Sequence, residues 1–420
     1  MTERRVASPR VPARVRAWYR RAILQARPTE REKMILTSAL TTRSIAPSAG
    51  SIEDLQAACA GLEPDADAVP ARLDLSAVGT LGPAALLYLL GLLAGRLQSG
   101  ARTVVVLPRS AGALDALAAS RLDEAVQRVA GEPFDMLLDD DSYARWSAVA
   151  ARRAGLAGEL LPPAFASVRT ALRAVDGFGP EVPARWSRDW QSALVRSVLD
   201  AVLADKGRYI ATHVVHEAVM NAVRHPGASV VACAAATGPA DGDPAAGDWL
   251  TLAIWDDGDG ITSTLRRLAT VAAVPEAQAV GLFNRTVHVT VDDGTGLATP
   301  DRIVDNQDPV DGTDDASLLL AATFPGVTCE PYAPGRAHRD TVAEVSEYAL
   351  PGMGLFVLCT TVAEVLKGEV EIRCGEWTMT VTRGPAARSL AVALVRSARL
   401  RPLSGNLVTV RVPRGSLPTR

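Results

Sequence analysis

The feature that most constrains the fold of this chain is an uncharged run of 21 residues from Leu75 to Gly95. A segment of that length must either cross a membrane or be buried inside the protein, and crossing requires about 20 predominantly apolar residues. Ser76, Gly79, Thr80, Gly82 and Pro83 occupy its first half. Only residues 84–94 read as a dense apolar helix, about half the length that a span needs. The run is therefore expected to be a buried strand, turn and helix, and no membrane is expected as a partner.

Short apolar strands flank that helix, at residues 71–75 and 103–107. Two short strands joined by an apolar crossover helix make a parallel βαβ unit. At 420 residues the chain is expected to contain at least two cores. The expected fold class is α/β with two domains. A basic arm covers residues 1–48, a βαβ domain residues 49–150, a helical connector residues 151–189, and a second α/β domain residues 190–415.

Composition narrows the function classes. Lys and Arg number 44 against 47 Asp and Glu, a net charge of −3, so nucleic acid is not an expected partner of the chain as a whole. The arm is the local exception, with ten Lys or Arg before position 34 against three Glu. Five scattered cysteines without a CxxC pair suit a reduced, cytoplasmic setting. The basic start is not followed by an apolar core, so no secretion signal is expected. Eight Asp fall between positions 292 and 315 without the regular spacing of a calcium loop, and read as solvated.

Three short motifs carry chemistry. Along the expected helix at residues 208–225, His213, Glu217, Asn221 and His225 recur every four residues and form one polar stripe. A strand at residues 249–255 then runs into Asp256, followed by Gly258 and Gly260. A carboxylate at a strand end with alternating glycines lets the backbone approach a flat ligand while the carboxylate accepts a donor. Later, Pro351-Gly352-Met353-Gly354-Leu355 opens an apolar helix expected over residues 355–366, leaving backbone N–H groups for phosphate oxygens.

In that order, Glu217-x-x-x-Asn221, Asp256-x-Gly258-x-Gly260 and Gly352-x-Gly354 resemble the three nucleotide boxes of the gyrase, chaperone, histidine-kinase and mismatch-repair (GHKL) ATPase superfamily. The run from His216 to His225 is most similar to the anti-sigma-factor serine-kinase branch. The resemblance covers roughly residues 190–413. It implies a Bergerat-type α/β sandwich with a mixed sheet, and ATP with Mg²⁺ as ligands. Asp256 would accept the adenine amino group, Gly258 and Gly260 would shape the base pocket, and the helix opened by Gly352, Met353, Gly354 and Leu355 would cap the phosphates. Asn221 would hold the metal and Glu217 would act as general base. The 262–350 stretch occupies the lid position at much greater length than in sensor kinases, and is expected to be an inserted subdomain.

The first domain is similar to the sulfate-transporter/anti-sigma-antagonist (STAS) fold through Leu73-Asp74-Leu75-Ser76, the apolar helix and the 102–107 strand. Gly82, Pro83 and Ala84 stand where that family commonly carries its phosphorylated serine, so the domain reads as a docking or dimerisation module. Together the resemblances imply a regulatory Mg-ATPase whose nucleotide state controls the lid and the STAS-like domain. A serine kinase acting on a STAS partner, or a nucleotide-gated scaffold without turnover, are the alternatives. The partner would be a protein reached through the STAS-like domain or the lid, with a homodimer also open. The first histidine of the chain is His213, which excludes an autophosphorylation histidine in the helices before Trp190.

Overall fold

The computed structural model describes residues 43–45, 52–59, 71–79, 81–99, 101, 103–155, 168–174, 228, 230–239, 248–267, 272–273, 284–295, 302–306, 314–325, 327–328, 354–397 and 405–416. The expected basic arm therefore lies almost wholly outside the described residues. Residues 44–420 form one compact unit. It is a mixed α/β protein with three sheets and two hydrophobic clusters, the second of which draws residues from both expected domains.

The smaller sheet has three strands, β1 (Arg43–Ile45), β2 (Ala71–Asp74) and β3 (Thr103–Val106), in that order. Around it lie helices α1 (Ile52–Cys59), α2 (Pro83–Gln98), α3 (Ala111–Ala119), α4 (Leu122–Ala130) and α5 (Asp140–Gly155). β2 and β3 are parallel, with Ala71 opposite Thr103 and Asp74 opposite Val106, and α2 is the crossover between them. Pro83 at the first turn of α2 is tolerated there because that N–H has no helical partner.

The larger sheet has nine strands in the order β4-β5-β6-β14-β11-β12-β13-β8-β9. They are β4 (Val168–Ala174), β5 (Val230–Pro239), β6 (Asp248–Asp256), β8 (Thr286–Asp292), β9 (Arg302–Asp305), β11 (Glu369–Cys374), β12 (Trp377–Arg383), β13 (Ser389–Arg396) and β14 (Asn406–Pro413). Neighbours are antiparallel except β13 and β8, which run parallel and make the sheet mixed. A two-stranded sheet pairs β7 (Ala272–Ala273) with β10 (Val327–Thr328).

The central strands are buried on both faces, which explains why β5 and β6 read as nearly continuous apolar runs rather than as alternations. Leu250, Leu252 and Ile254 of β6 enter one cluster with α6 (Ile261–Arg267), α7 (Asp315–Ala321) and α8 (Gly354–Thr360). Ala253 and Trp255 of the same strand enter the other cluster, together with Leu86, Leu87, Leu89, Leu90 and Leu93 of α2. α2 contacts both β5 and β6. A helix that is apolar on every side must be covered on every side, and this one lies against two sheets. Ala232, Ala234 and Ala253 face it, and their small side chains suit a close approach of the helix to the strands.

Beside this apolar contact is a buried polar network. Arg373 Nε donates to Glu371 Oε1 at 2.7 Å and Arg373 Nη1 donates to Gln56 Oε1 at 2.7 Å, joining β11 to α1. Arg411 Nη1 on β14 donates to Glu369 Oε1 at 2.6 Å and lies 3.9 Å from Glu371. Buried charges require such partners, and removing one would leave the other uncompensated.

Two expectations differ from the fold. The stretch expected to be a helical connector, residues 151–189, takes in only the end of α5, and Val168–Ala174 is a strand hydrogen-bonded to β5, with Val168 opposite Ala236 and Ala174 opposite Val230. Its sequence, Val-Arg-Thr-Ala-Leu-Arg-Ala, has no decisive period, and the free edge of β5 decides its state. Second, the 262–350 stretch is not wholly separate from the domain. β8 and β9 extend the main sheet, and Leu318, Leu319 and Leu320 of α7 fill its core. The parallel partner of β8, β13, is more than ninety positions away, a non-local choice.

Among the described residues no helix is long and apolar enough to cross a membrane. Because α2 is wedged between sheets, Leu90→Ala is expected to lower unfolding free energy by ~2–5 kcal/mol, the range for an emptied leucine site. Chemical denaturation measures it, and a loss below about 1 kcal/mol would contradict the packing of this helix.

Candidate functional site

The site is assembled where β6 and β14 end side by side. Asp256 is the last residue of β6 and is paired in register with Asn406, the first residue of β14. Both side chains project to the face that carries Ile254 and Val408, where α6, α7 and α8 also pack. After Asp256 the chain turns through Asp257-Gly258-Asp259-Gly260 and enters α6 at Ile261.

Asp256 is only 4% exposed. Its Oδ1 accepts from the Gly258 N–H at 3.0 Å, and its Oδ2 accepts from Asn406 Nδ2 at 3.1 Å. Asn406 in turn uses its Oδ1 to accept from the Ile261 N–H at 2.9 Å, satisfying a donor at the start of α6. Asp257 is held separately, with its Oδ1 accepting from the Val230 N–H at 2.7 Å. Asp256 and Asp257 are thus fixed in different directions.

Burial pushes the Asp256 carboxyl up to about 6, against the hydrogen bonds from Asn406 and Gly258, with neighbouring Asp257 adding to the rise. The consequence for stability has a definite sign. The folded state holds the proton more tightly than the unfolded chain, whose ordinary value is 3.8, so this group favours folding most below that value. Its contribution declines as pH rises from 3.8 to about 6 and is lowest above that window. A charged carboxylate here opposes folding, which is characteristic of a side chain kept for something other than stability.

Two glycines permit the corner. Gly405, immediately before Asn406, has φ +81°, and a Cβ there would lie 1.9 Å from the Asp256 carbonyl oxygen. Gly260 has φ +84°, and its Cβ would meet the Cys374 sulfur at 3.2 Å. Cys374, at the end of β11, also lies 3.7 Å from the Thr262 hydroxyl, so it forms the packed floor beneath the turn. Burial raises its thiol and those of Cys233 and Cys359, the last to about 12, so none of the three is a thiolate nucleophile at neutral pH.

The structure therefore brings together Asp256, Gly258 and Gly260 from the expected set. Gly354 begins α8, and Leu355 packs against the cluster that α6 also joins. The expected helix at residues 355–366 is α-helical to Thr360 and continues as a π-helical turn over Thr361–Val365. Glu217, Asn221, Gly352 and Met353 lie outside the described residues, as do His213, His225 and Arg224. Sequence reasoning missed Asn406, Gly405 and Cys374. The Gly405-Asn406 pair opening a strand was the available signal, but only the β6–β14 register makes it part of the site.

A metal is implied by the resemblance through Asn221. Among the described residues no group of three or more His, Cys, Asp or Glu is placed to hold an ion. In the Asp-rich stretch, Asp314 caps α7 by accepting from the Ser317 N–H at 3.0 Å, and Asp315 pairs with Arg266 at 2.5 Å. Asp292 and Asp293 each accept from a backbone N–H two residues on, at 2.9 Å. These are local structural roles.

No family model, curated protein or solved structure matches the chain.

Gly405→Ala is expected to destabilise the protein by more than about 2 kcal/mol, while Gly415→Ala, with open space at its Cβ, changes stability by less than about 0.5 kcal/mol. Equal effects in thermal unfolding would contradict the close approach at Asp256. The wild type should also lose unfolding free energy relative to Asp256→Asn as pH rises from 4 to 7, by about 2 kcal/mol. A difference that stays constant over this range would show that Asp256 titrates normally.

Proposed function

We propose that the chain is a regulatory ATP-binding protein of the GHKL type, in which a Bergerat-type nucleotide domain is fused to a STAS-like domain. The observation that carries this reading is the buried Asp256 carboxylate, ended on a strand, held by Gly258 and Asn406, and followed by a glycine turn into a helix. A buried acceptor of this kind suits an exocyclic amino group of a purine, which offers the donor that the remaining carboxylate lone pairs lack. The mixed sheet with helices on the Asp256 face supports the same reading.

In this reading Gly258 and Gly260 keep the turn low enough for a flat base to lie over it. Gly352, Met353, Gly354 and Leu355 lead into α8 and would face the phosphates. Asn221 would hold the magnesium ion, whose charge offsets that of the phosphate oxygens when bound. Glu217, four positions before Asn221, would take the proton from the attacking water or hydroxyl.

The STAS-like reading of the first domain rests on the parallel β2–α2–β3 unit. Its apolar helix packs on β5 and β6, so this domain is in contact with the strands that lead to Asp256. Trp255 and Leu407, neighbours of Asp256 and Asn406 on their strands, belong to the cluster that contains α2. Nucleotide binding at the strand ends would therefore be felt on the opposite face of the sheet, where the first domain sits. That arrangement suits a regulator more than an enzyme selected for rapid turnover.

Asp256→Asn should lower ATP affinity by ~1–3 kcal/mol in calorimetry, the range for losing a buried hydrogen bond to a charged group. Unchanged affinity would remove the proposed base site. Glu217→Ala should leave ATP binding intact and slow phosphate release ~10²–10⁴-fold, the usual contribution of a general base. Labelled ATP distinguishes free phosphate from transfer to a partner serine, and wild-type turnover no faster than that of Glu217→Ala would assign a scaffold that binds without hydrolysis.

A further inference from the structure

Asn406 occupies a position in which the backbone dictates its orientation. The Ile261 N–H can only donate, so the amide atom facing it at 2.9 Å is the oxygen, and the nitrogen must face the Asp256 carboxylate. The Gly258 N–H supplies a second donor to the same carboxylate. Gly258 and Asn406 both donate to Asp256, and the carboxylate is left as an acceptor toward whatever approaches it.

Asn406 is 3% exposed, and its amide oxygen and nitrogen are engaged with Ile261 and Asp256. Resting on the nucleotide reading above, we propose that Asn406 is a positioning residue that sets the base specificity of the site by holding Asp256 as an ionised acceptor, selecting purines with an exocyclic amino donor over those with a carbonyl at that edge.

The other titratable groups facing Asp256 do not substitute for this. Asp257, on the same turn, disfavours its ionisation, and Cys374 on β11 is a neutral thiol because burial raises it. Hydrogen bonding from Asn406 is the first of the influences that favour the charged form. Loss of that bond leaves burial opposed mainly by the Gly258 N–H, so protonation would occur at higher pH.

Reversing the pair provides a direct test of direction. In the doubly substituted protein Asp256→Asn with Asn406→Asp, the new carboxylate at position 406 accepts from the Ile261 N–H. Its other oxygen accepts from the new amide at position 256, whose own oxygen accepts from Gly258. All three internal hydrogen bonds survive, but the group presented to the base changes from an acceptor to a donor.

The experiment measures the affinity of the full chain for ATP and inosine triphosphate from pH 5 to 8, for the wild type, Asn406→Ser and the reversed pair. The wild type should prefer ATP and lose it with a midpoint near pH 6. Asn406→Ser should move that midpoint upward and weaken ATP about tenfold at pH 7. The reversed pair should shift the ATP-to-inosine ratio toward inosine triphosphate by at least about tenfold. A merely structural Asn406 would weaken both nucleotides equally at every pH without moving the midpoint, and that result would overturn the proposal. Should the reversed pair fail to fold, the midpoint of Asn406→Ser still decides. No ATP binding by the wild type at any pH would instead remove the nucleotide reading itself.

Discussion

A carboxylate removed from water must find donors or take up a proton, and Asp256 is poised between these outcomes. Gly258 and Asn406 supply donors, yet burial still raises the group to about 6. The surrounding structure is arranged around this compromise. β14 lies close enough to β6 for the Asn406 amide to reach the carboxylate only because position 405 lacks a side chain. The same amide closes the first turn of α6. A single bridging residue therefore fixes the strand end, the glycine turn and the helix start, and a fault in any one of them disturbs the other two.

This corner is held from behind by an apolar layer. Trp255 and Leu407 point away from the candidate site into the cluster formed with α2. The leucines of α2 meet a surface made small by Ala232, Ala234 and Ala253, a choice that sacrifices strand propensity for close packing. Gln56, Arg373 and Glu371, together with the Arg411–Glu369 pair, fix the flank of that contact with directional bonds. Beside them the Thr409 hydroxyl is buried without a hydrogen-bond partner, in register with Glu371 and Ala253.

Local chemistry was legible in the sequence wherever it was decided locally. The uncharged run gave the buried crossover helix because its length and its Gly and Pro content left few alternatives, and Asp256 at a strand end followed from the apolar strand and the glycines after it. What escaped was non-local. Val168–Ala174 takes its state from the edge of β5, and β8 takes its place from β13. Asn406 looked like an ordinary strand start because 150 positions separate it from Asp256, and only sheet register joins them. The length of the 262–350 stretch suggested a separate lid, whereas its leucines at 318–320 belong to the main core.

The stability and the proposed activity of Asp256 pull in opposite directions. Folding favours its protonated form, whereas accepting a purine amino group requires the charged form. Ligand binding at that carboxylate should accordingly quieten the corner it now strains. Amide hydrogen exchange with and without ATP, followed by mass spectrometry, addresses this most directly. Slower exchange is expected on ATP addition in peptides covering residues 254–262 and 405–408. Unaltered exchange at both corner peptides under saturating ATP, or protection confined to other parts of the chain, would contradict it.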